Sequence, residues 1–300
     1  MSAKPKVRWL GRGLWGALAL VGTALALFLF NGASDGWRVP ATGSVAGVQP
    51  ALQATEVRVL AFNLAKCDFY EGGVSFVDEA RIRERLDRVA AVIEREHIDV
   101  ACLSEVVFEA GTVRLDQARY LAEKCRFARF ATGENYNFGL PFLRVRSGNA
   151  ILSRFPLVAI ETLQLDGGRP FFWPTNNRRA LWCTLEIGGV AVLTGSLRND
   201  SFDLANNLAQ LEGIQAYVGD RPTLLAGDFN AGVDSASMQA MRASARFTSS
   251  ARAIPTFPAH APDRRLDYVF APRAWLLVEE HEVDVGMSDH LGVVARFALR

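Results

Sequence analysis

Asp228 and Asn230 stand two residues apart in Gly227-Asp-Phe-Asn230, at the exit of the apolar run Pro222-Thr-Leu-Leu-Ala226. Side chains alternate along a strand, so Asp-x-Asn at its end presents a carboxylate and a carboxamide on one face. The carboxylate only accepts hydrogen bonds, whereas the amide both donates and accepts. Such a pair can orient and deprotonate a water while holding the oxygen of the group under attack. Gly-Asp also marks ordinary strand-to-turn junctions, so the pair draws its meaning from its company.

That company is a series of polar residues at the ends of apolar runs. Asn63 follows Val57-Arg-Val-Leu-Ala-Phe62, Glu105 follows Ile98-Asp-Val-Ala-Cys-Leu103, and Asn149 opens 148–156. After Asp228 and Asn230 come Asp267 in Arg265-Leu-Asp-Tyr-Val-Phe270 and the pair Asp289-His290 in Met287-Ser-Asp-His-Leu-Gly292. Singly these words are ordinary: Asn63 can simply end a strand, and Ser-Asp-His can be an Asx turn. In this order, from residue 55 to 300, they closely resemble the endonuclease/exonuclease/phosphatase superfamily, the deoxyribonuclease-like metal-dependent phosphohydrolases.

The resemblance implies a four-layer α/β/β/α sandwich with its active residues gathered at one edge. It implies Glu105 as main metal ligand, with Asn63 and Asp289 at the same ion. An oxygen-rich, thiol-free site points to Mg²⁺, with Mn²⁺ a substitute. Asp228 would activate water, Asn230 would hold a phosphoryl oxygen, and His290, oriented by Asp267, would bond the scissile phosphate. Asn149 would support the site from the other sheet. Ser196, in Thr194-Gly-Ser-Leu-Arg-Asn199, stands where many relatives carry a histidine facing the phosphate, so Asn199 is expected to hold that phosphate instead. Asn207 replaces a frequent arginine, and His260 in the loop 255–260 is a candidate stand-in acid.

Elements that must position these residues are legible in the hydrophobic period. Residues 80–96 repeat apolar side chains at helical spacing and end at His97, where an imidazole suits the helix dipole. Helices are also expected at 116–125, 202–218 and 235–243. Strands are expected at 149–152, 180–187, 190–195, 266–270, 275–283 and 291–298, with Gly188-Gly189 a hairpin turn. Residues 127–143 read as loop. The stretch 166–177, with Phe171, Phe172 and Trp173, reads as a loop shaping specificity.

The chain has 300 residues, half of them apolar, enough for one large core. Four cysteines are too few for a disulfide scaffold. Cys102 and Cys183 read as buried thiols, while Cys67 and Cys125 are able to pair if the domain is exported. Residues 1–12 carry Lys4, Lys6, Arg8 and Arg12, and residues 13–30 hold no charge. This is the pattern of a signal anchor with its amino terminus in the cytoplasm, a linker over 31–54 and a catalytic domain over 55–300 outside the cell membrane. A cleaved signal peptide and a secreted enzyme are the alternative.

Five of the 33 basic residues but one of the 32 acids lie at or before Arg38, leaving the remainder slightly acidic. That counts against unspecific nucleic-acid binding, which usually shows a basic surface. Arg144/Arg146, Arg178/Arg179 and Arg264/Arg265 can gather around an anion or simply face water. The expected function is a membrane-anchored phosphodiesterase or phosphatase, its substrate a lipid-linked phosphate ester. The alternatives are an exported nuclease acting on DNA or RNA, or a weakly catalytic module that binds a phosphorylated ligand.

Overall fold

The computed structural model describes residues 6–33, 39–67, 78–111, 113, 115–165, 167, 178–250 and 252–299. In chain order the elements are α1 (Lys6–Ala33), β1 (Ala41–Ser44), β2 (Glu56–Asn63), α2 (Glu79–Arg95), β3 (Val100–Ala110), α3 (Gln117–Lys124), β4 (Arg129–Leu140), β5 (Leu143–Ser153) and β6 (Leu157–Gln164). They continue with β7 (Arg179–Ile187), β8 (Val190–Arg198), α4 (Leu204–Val218), β9 (Thr223–Asp228), α5 (Ala236–Ala243), β10 (Phe247–Thr248), β11 (Asp267–Pro272), β12 (Leu276–Val283) and β13 (Gly292–Ala298).

Two sheets form. One runs β1-β4-β5-β3-β2-β13-β12, the other β10-β11-β9-β8-β7-β6. Each contains a parallel pair, β2 with β3 and β8 with β9, joined through α2 and α4 respectively. Alternation then sorts the side chains. In β2, Val57, Val59 and Ala61 enter the layer between the sheets, where they meet Leu181, Cys183, Leu224, Ala226 and Val269. Their neighbours Leu60 and Phe62 face outward onto α2 and α3, through Leu86, Val89, Ile93 and Leu121. On the far side, Trp182, Leu193 and Leu225 lie under α4 and α5 through Leu211, Ile214, Met238 and Met241. The result is the expected α/β/β/α sandwich, each fully buried aliphatic or aromatic side chain contributing about 1.5–3 kcal/mol.

The helices start where capping side chains allow. Asp78, Asp116, Asp203 and Ser235 accept the backbone N–H of Arg81, Arg119, Asn206 and Met238.

One expectation is corrected and three are given detail. Residues 129–140, read as loop, form β4, which pairs with β5 along its length. Within the presumed linker, Ala41–Ser44 adds an edge strand to β4. The apolar helix continues beyond 13–30 to span Lys6–Ala33. Cys67 and Cys125 are not bonded to each other, and Cys125 packs its thiol against the Ala90 carbonyl at 3.9 Å. The loop aromatics Phe171, Phe172 and Trp173 lie outside the described residues.

The last turn of α1 docks on the β4–β5 hairpin. Asn31 donates to Asn137 Oδ1 and to the Gly139 carbonyl, both at 3.0 Å, and Asn137 donates back to the Asn31 carbonyl at 3.1 Å. Phe28 meets Phe138 edge-on at 5.3 Å.

Candidate active site

The inner rows of the strands end in polar residues at one edge of the sandwich. Val57-Val59-Ala61 leads to Asn63, Leu224-Ala226 to Asp228, and Ala271-Val269 back to Asp267. Because the rows face each other across one layer, their terminal side chains converge. Asn63 Nδ2 lies 3.1 Å from both Glu105 Oε1 and Asp228 Oδ2. Asp267 stands directly opposite Asp228 in the β11–β9 pairing.

Glu105 breaks the alternation. By count, Val100 and Cys102 face inward and Leu103 outward, so Glu105 belongs outside. A bulge between Leu103 and Val106, with Glu105 at φ +52°, turns its carboxylate back to Asn63. Bulges next to active sites re-aim side chains in this manner.

Two cations that the sequence reading passed over hold Glu105. Arg198 Nε is 2.8 Å from Oε1 and 3.4 Å from Asp228 Oδ2, and Lys66 is salt-bridged to Oε2. Burial pushes the Glu105 carboxyl up, but Arg198 and Lys66 outweigh it and hold it below the usual carboxylate range. Lys66 arrives on a left-handed turn, Ala65, Lys66 and Cys67 having φ of 43°, 57° and 55°. Positive φ costs a non-glycine residue about 1–3 kcal/mol and concentrates at functional sites. Arg198 had a readable signal, since it extends the inward row of β8 after Val192, Thr194 and Ser196.

Asp228 is fully buried. Its Oδ1 accepts the Asn230 N–H at 2.9 Å, and its Oδ2 accepts Asn230 Nδ2 at 3.1 Å. Asn230 Nδ2 also donates to the Asn199 carbonyl at 2.9 Å, so both of its amide hydrogens are used within the protein.

His290 Nδ1 bonds Asp267 Oδ2 at 2.8 Å, leaving Nε2 directed toward Asp228 Oδ2 at 3.9 Å. Burial lowers the His290 pKa, but Asp267 and Asp228 more than reverse it and raise it above its ordinary value. Thr256 Oγ1 donates to the same Asp267 oxygen at 2.7 Å. Ser288 fixes the loop, donating to the Asn63 carbonyl and accepting the His290 N–H.

The remaining expected site residues are placed as follows. Asn149 is buried on β5, in the same sheet as Glu105 and Asn63 rather than in the second sheet, and donates across to the Arg179 carbonyl of β7 at 2.8 Å. Asn199 is fully buried, and neither of its side-chain polar atoms has a partner among the described residues. Asp289 is exposed, with no hydrogen bond to Glu105 or Asn63 among the described residues. His260 is exposed in its loop. Asn207 ties the α4 start to the strand ends, donating to the Asp200 and Phe229 carbonyls and accepting from Ser237.

Ser196 departs from expectation. It is fully buried between the sheets and donates to the Leu103 carbonyl at 3.0 Å, tying β8 to β3. A Ser196→His variant therefore overpacks that layer and breaks the tie, and a loss of about 1–3 kcal/mol is expected. Thermal unfolding checks this: a lowered Tm is expected, whereas an unchanged Tm would return position 196 to the site.

The arginine pairs divide. Arg144 and Arg146 pair with Glu109, and Arg146 also with Glu134. Arg264 covers the Phe257 ring, and Arg265 is buried against Glu280 at 2.7 Å. Arg178 is buried, its Nε and Nη2 without a partner among the described residues, and it feels the charges of Arg198, Asp228 and Glu105. Burial lowers its pKa to about 10.

Asp228, Asp267 and His290 each offer one ligand atom, all within 4.8 Å of one another. His290 is committed to Asp267, so the hard oxygen donors that suit a divalent cation are the Glu105 and Asp228 carboxylates joined by Asn63, with Lys66 and Arg198 on Glu105 in this structure.

A two-sheet sandwich with acids, amides, an Asp-His pair and the arginines Arg178 and Arg198 at one edge is a site suited to phosphate-ester chemistry. The chain belongs to the Endonuclease/Exonuclease/phosphatase family, whose model matches residues 60–290. The activities in that family name are hydrolyses of phosphate esters. Among solved structures, the chain resembles an endonuclease/exonuclease/phosphatase from Beutenbergia cavernae, with 26% identity, 82% of this chain and 72% of that one covered, and a TM-score of 0.63. A humanized D. rerio TDP2 shares the fold at 14% identity, covering 81% of this chain and 99% of that one, with a TM-score of 0.60. The Bacteroides thetaiotaomicron mannosyl-6-phosphatase Bt3783 does so at 16% identity, covering 81% and 100%, with a TM-score of 0.57. No curated protein matches the sequence.

Proposed function

We propose that this chain is a membrane-anchored, divalent-metal-dependent phosphoesterase. The observation that carries the reading is the convergence on Asp228 Oδ2 of Asn63, Asn230, Arg198 and His290 Nε2. Asp228 orients and deprotonates the attacking water, and Asn230, its amide hydrogens committed, holds that carboxylate in place rather than the phosphate. His290, its charge favoured by Asp267, donates from Nε2 to a phosphoryl oxygen. Asn199, whose amide has no partner among the described residues, and Arg178, whose Nε and Nη2 have none there, take the remaining phosphoryl oxygens. Asn149 holds the second sheet's side of the cleft through the Arg179 carbonyl.

Glu105 and Asn63 are the residues that would hold Mg²⁺ or Mn²⁺, with Asp289 a further carboxylate at the rim. Bound there, the cation supplies charge neutralisation and Lewis-acid polarisation of the phosphoryl group. The anchor is α1, whose stretch Leu14–Ala33 has 20 residues and a mean hydropathy of 1.9. A protein held at a bilayer meets lipid-linked phosphate esters first, which makes them the favoured substrate over DNA or RNA.

The test uses the full chain in lipid nanodiscs with Mg²⁺ or with EDTA. Its panel is bis(p-nitrophenyl) phosphate, single-stranded DNA, a phosphoinositide and an isoprenyl pyrophosphate. Mg²⁺-dependent turnover, highest on a lipid-linked member, is expected. Turnover indifferent to EDTA, or silence across the panel from a folded protein, removes the proposal.

Arg178→Gln supplies a separate check. Losing a charge-assisted hydrogen bond of about 1.5–3 kcal/mol is expected to raise KM roughly ten- to hundredfold. Because Nε and Nη2 have no partner among the described residues, Tm is expected to change little. A lower Tm with unchanged KM would make Arg178 structural.

A further inference from the structure

The β4–β5 hairpin ends in an apolar tip. Phe138 and Leu143 are 40% and 55% exposed, and Phe142, in the turn, 74% exposed. This tip adjoins α1, whose Leu14, Leu18, Leu20, Val21 and Leu25 are also exposed. The geometry points to a second membrane contact: the tip of the β4–β5 hairpin is seated in the lipid interface beside the anchor. The inference rests on the anchored reading of α1.

The argument is one of depth. Twenty residues of helix at 1.5 Å each span about 30 Å, the thickness of a bilayer's hydrocarbon core. Phe28 lies five residues inside the end of that stretch, about 7.5 Å below the boundary at Ala33 if the helix stands upright. Phe138 packs edge-on against Phe28, so the hairpin is drawn to that depth. Apolar faces of interfacial segments sink by about 5–10 Å, which matches.

The polar bonds agree. Asn31 and Asn137, which water would otherwise solvate, satisfy each other where the chain leaves the bilayer. Arg144, just behind the tip, is neutralised by Glu109, and no described acid lies between Phe138 and Leu143. The bilayer is thus the occupant of this surface, by continuity with the helix it surrounds.

The experiment uses the full chain in nanodiscs with single nitroxide labels. All four native cysteines are buried, so an introduced exposed cysteine takes the label selectively. Labels go at Phe142→Cys and Leu143→Cys, with Leu20→Cys as a helix reference. Val190→Cys, 50% exposed at the opposite end of β8 from Arg198, is the aqueous reference. Continuous-wave power saturation reads the ratio of oxygen to nickel-chelate collisions at each label.

The ratios at 142 and 143 are expected to shift toward that of Leu20→Cys and away from that of Val190→Cys. Ratios at 142 and 143 equal to the Val190→Cys value, with a lipid-like value at Leu20→Cys, overturn the hairpin contact and leave the anchor standing. An aqueous value at Leu20→Cys overturns both.

Discussion

Asp228→Asn is expected to lower kcat by about 10²–10⁴-fold, the contribution of a well-placed general base. The substitution keeps size and shape but removes the capacity to take a proton. With its carbonyl oxygen at the Oδ2 position the new amide still accepts from Asn63 and Asn230, but its N–H₂ then faces the Asn230 N–H, which loses the acceptor it had in Oδ1 at 2.9 Å. The structural cost of such a loss is about 1–3 kcal/mol, too little to unfold a domain of this size by itself. Circular dichroism and thermal unfolding separate the two effects. A folded variant with wild-type turnover would remove Asp228 from the chemistry.

Glu280→Ala is expected to be the most destabilising single change considered. Arg265 and Glu280 are each 1% exposed in their side chains and meet at 2.7 Å, joining β12 of one sheet to the segment entering β11 of the other. Removing one member leaves a buried guanidinium without its counter-ion, a loss of about 3–5 kcal/mol. For a domain of this size that is a fall in Tm of about 6–20 °C. Arg265 also donates to the Asp267 carbonyl at 3.3 Å and stacks on Tyr268, so the site should loosen as well. A Tm within a degree of wild type would show that Arg265 finds water or another anion.

Much of the site was legible because strands have period 2. Asn63, Asp228 and Asp267 each continue an inward row of small or branched apolar side chains, and a polar residue at the end of such a row must emerge at the sheet edge. The residues that alternation misplaces are those where the backbone leaves it. Glu105 needs an extra residue and a positive φ, and Lys66 needs three successive left-handed residues, neither of which side-chain type announces.

β4 was hidden for another reason. Gly133, Asn135, Asn137 and Gly139 are turn formers with low strand propensity, and only pairing with β5 along nearly its whole length makes them a strand. The inter-sheet role of Ser196 was equally out of reach, since its partner is the carbonyl of Leu103, 93 residues away. The docking of α1 likewise depends on Asn31 meeting Asn137, 106 residues on.

That last contact changes what it means to work with a chain that lacks α1. Cutting the chain after Ala33, whether by a peptidase or by a cloning boundary, does more than shed a tether. Asn137, 4% exposed, loses its hydrogen bonds with Asn31, and Phe138 loses the face of Phe28. The hairpin that holds Asn149 and flanks Glu105 is then an edge with its cover removed, prone to fray or to pair with a second copy. Truncation therefore strips contacts from the hairpin that flanks the candidate active site, as well as shedding a helix.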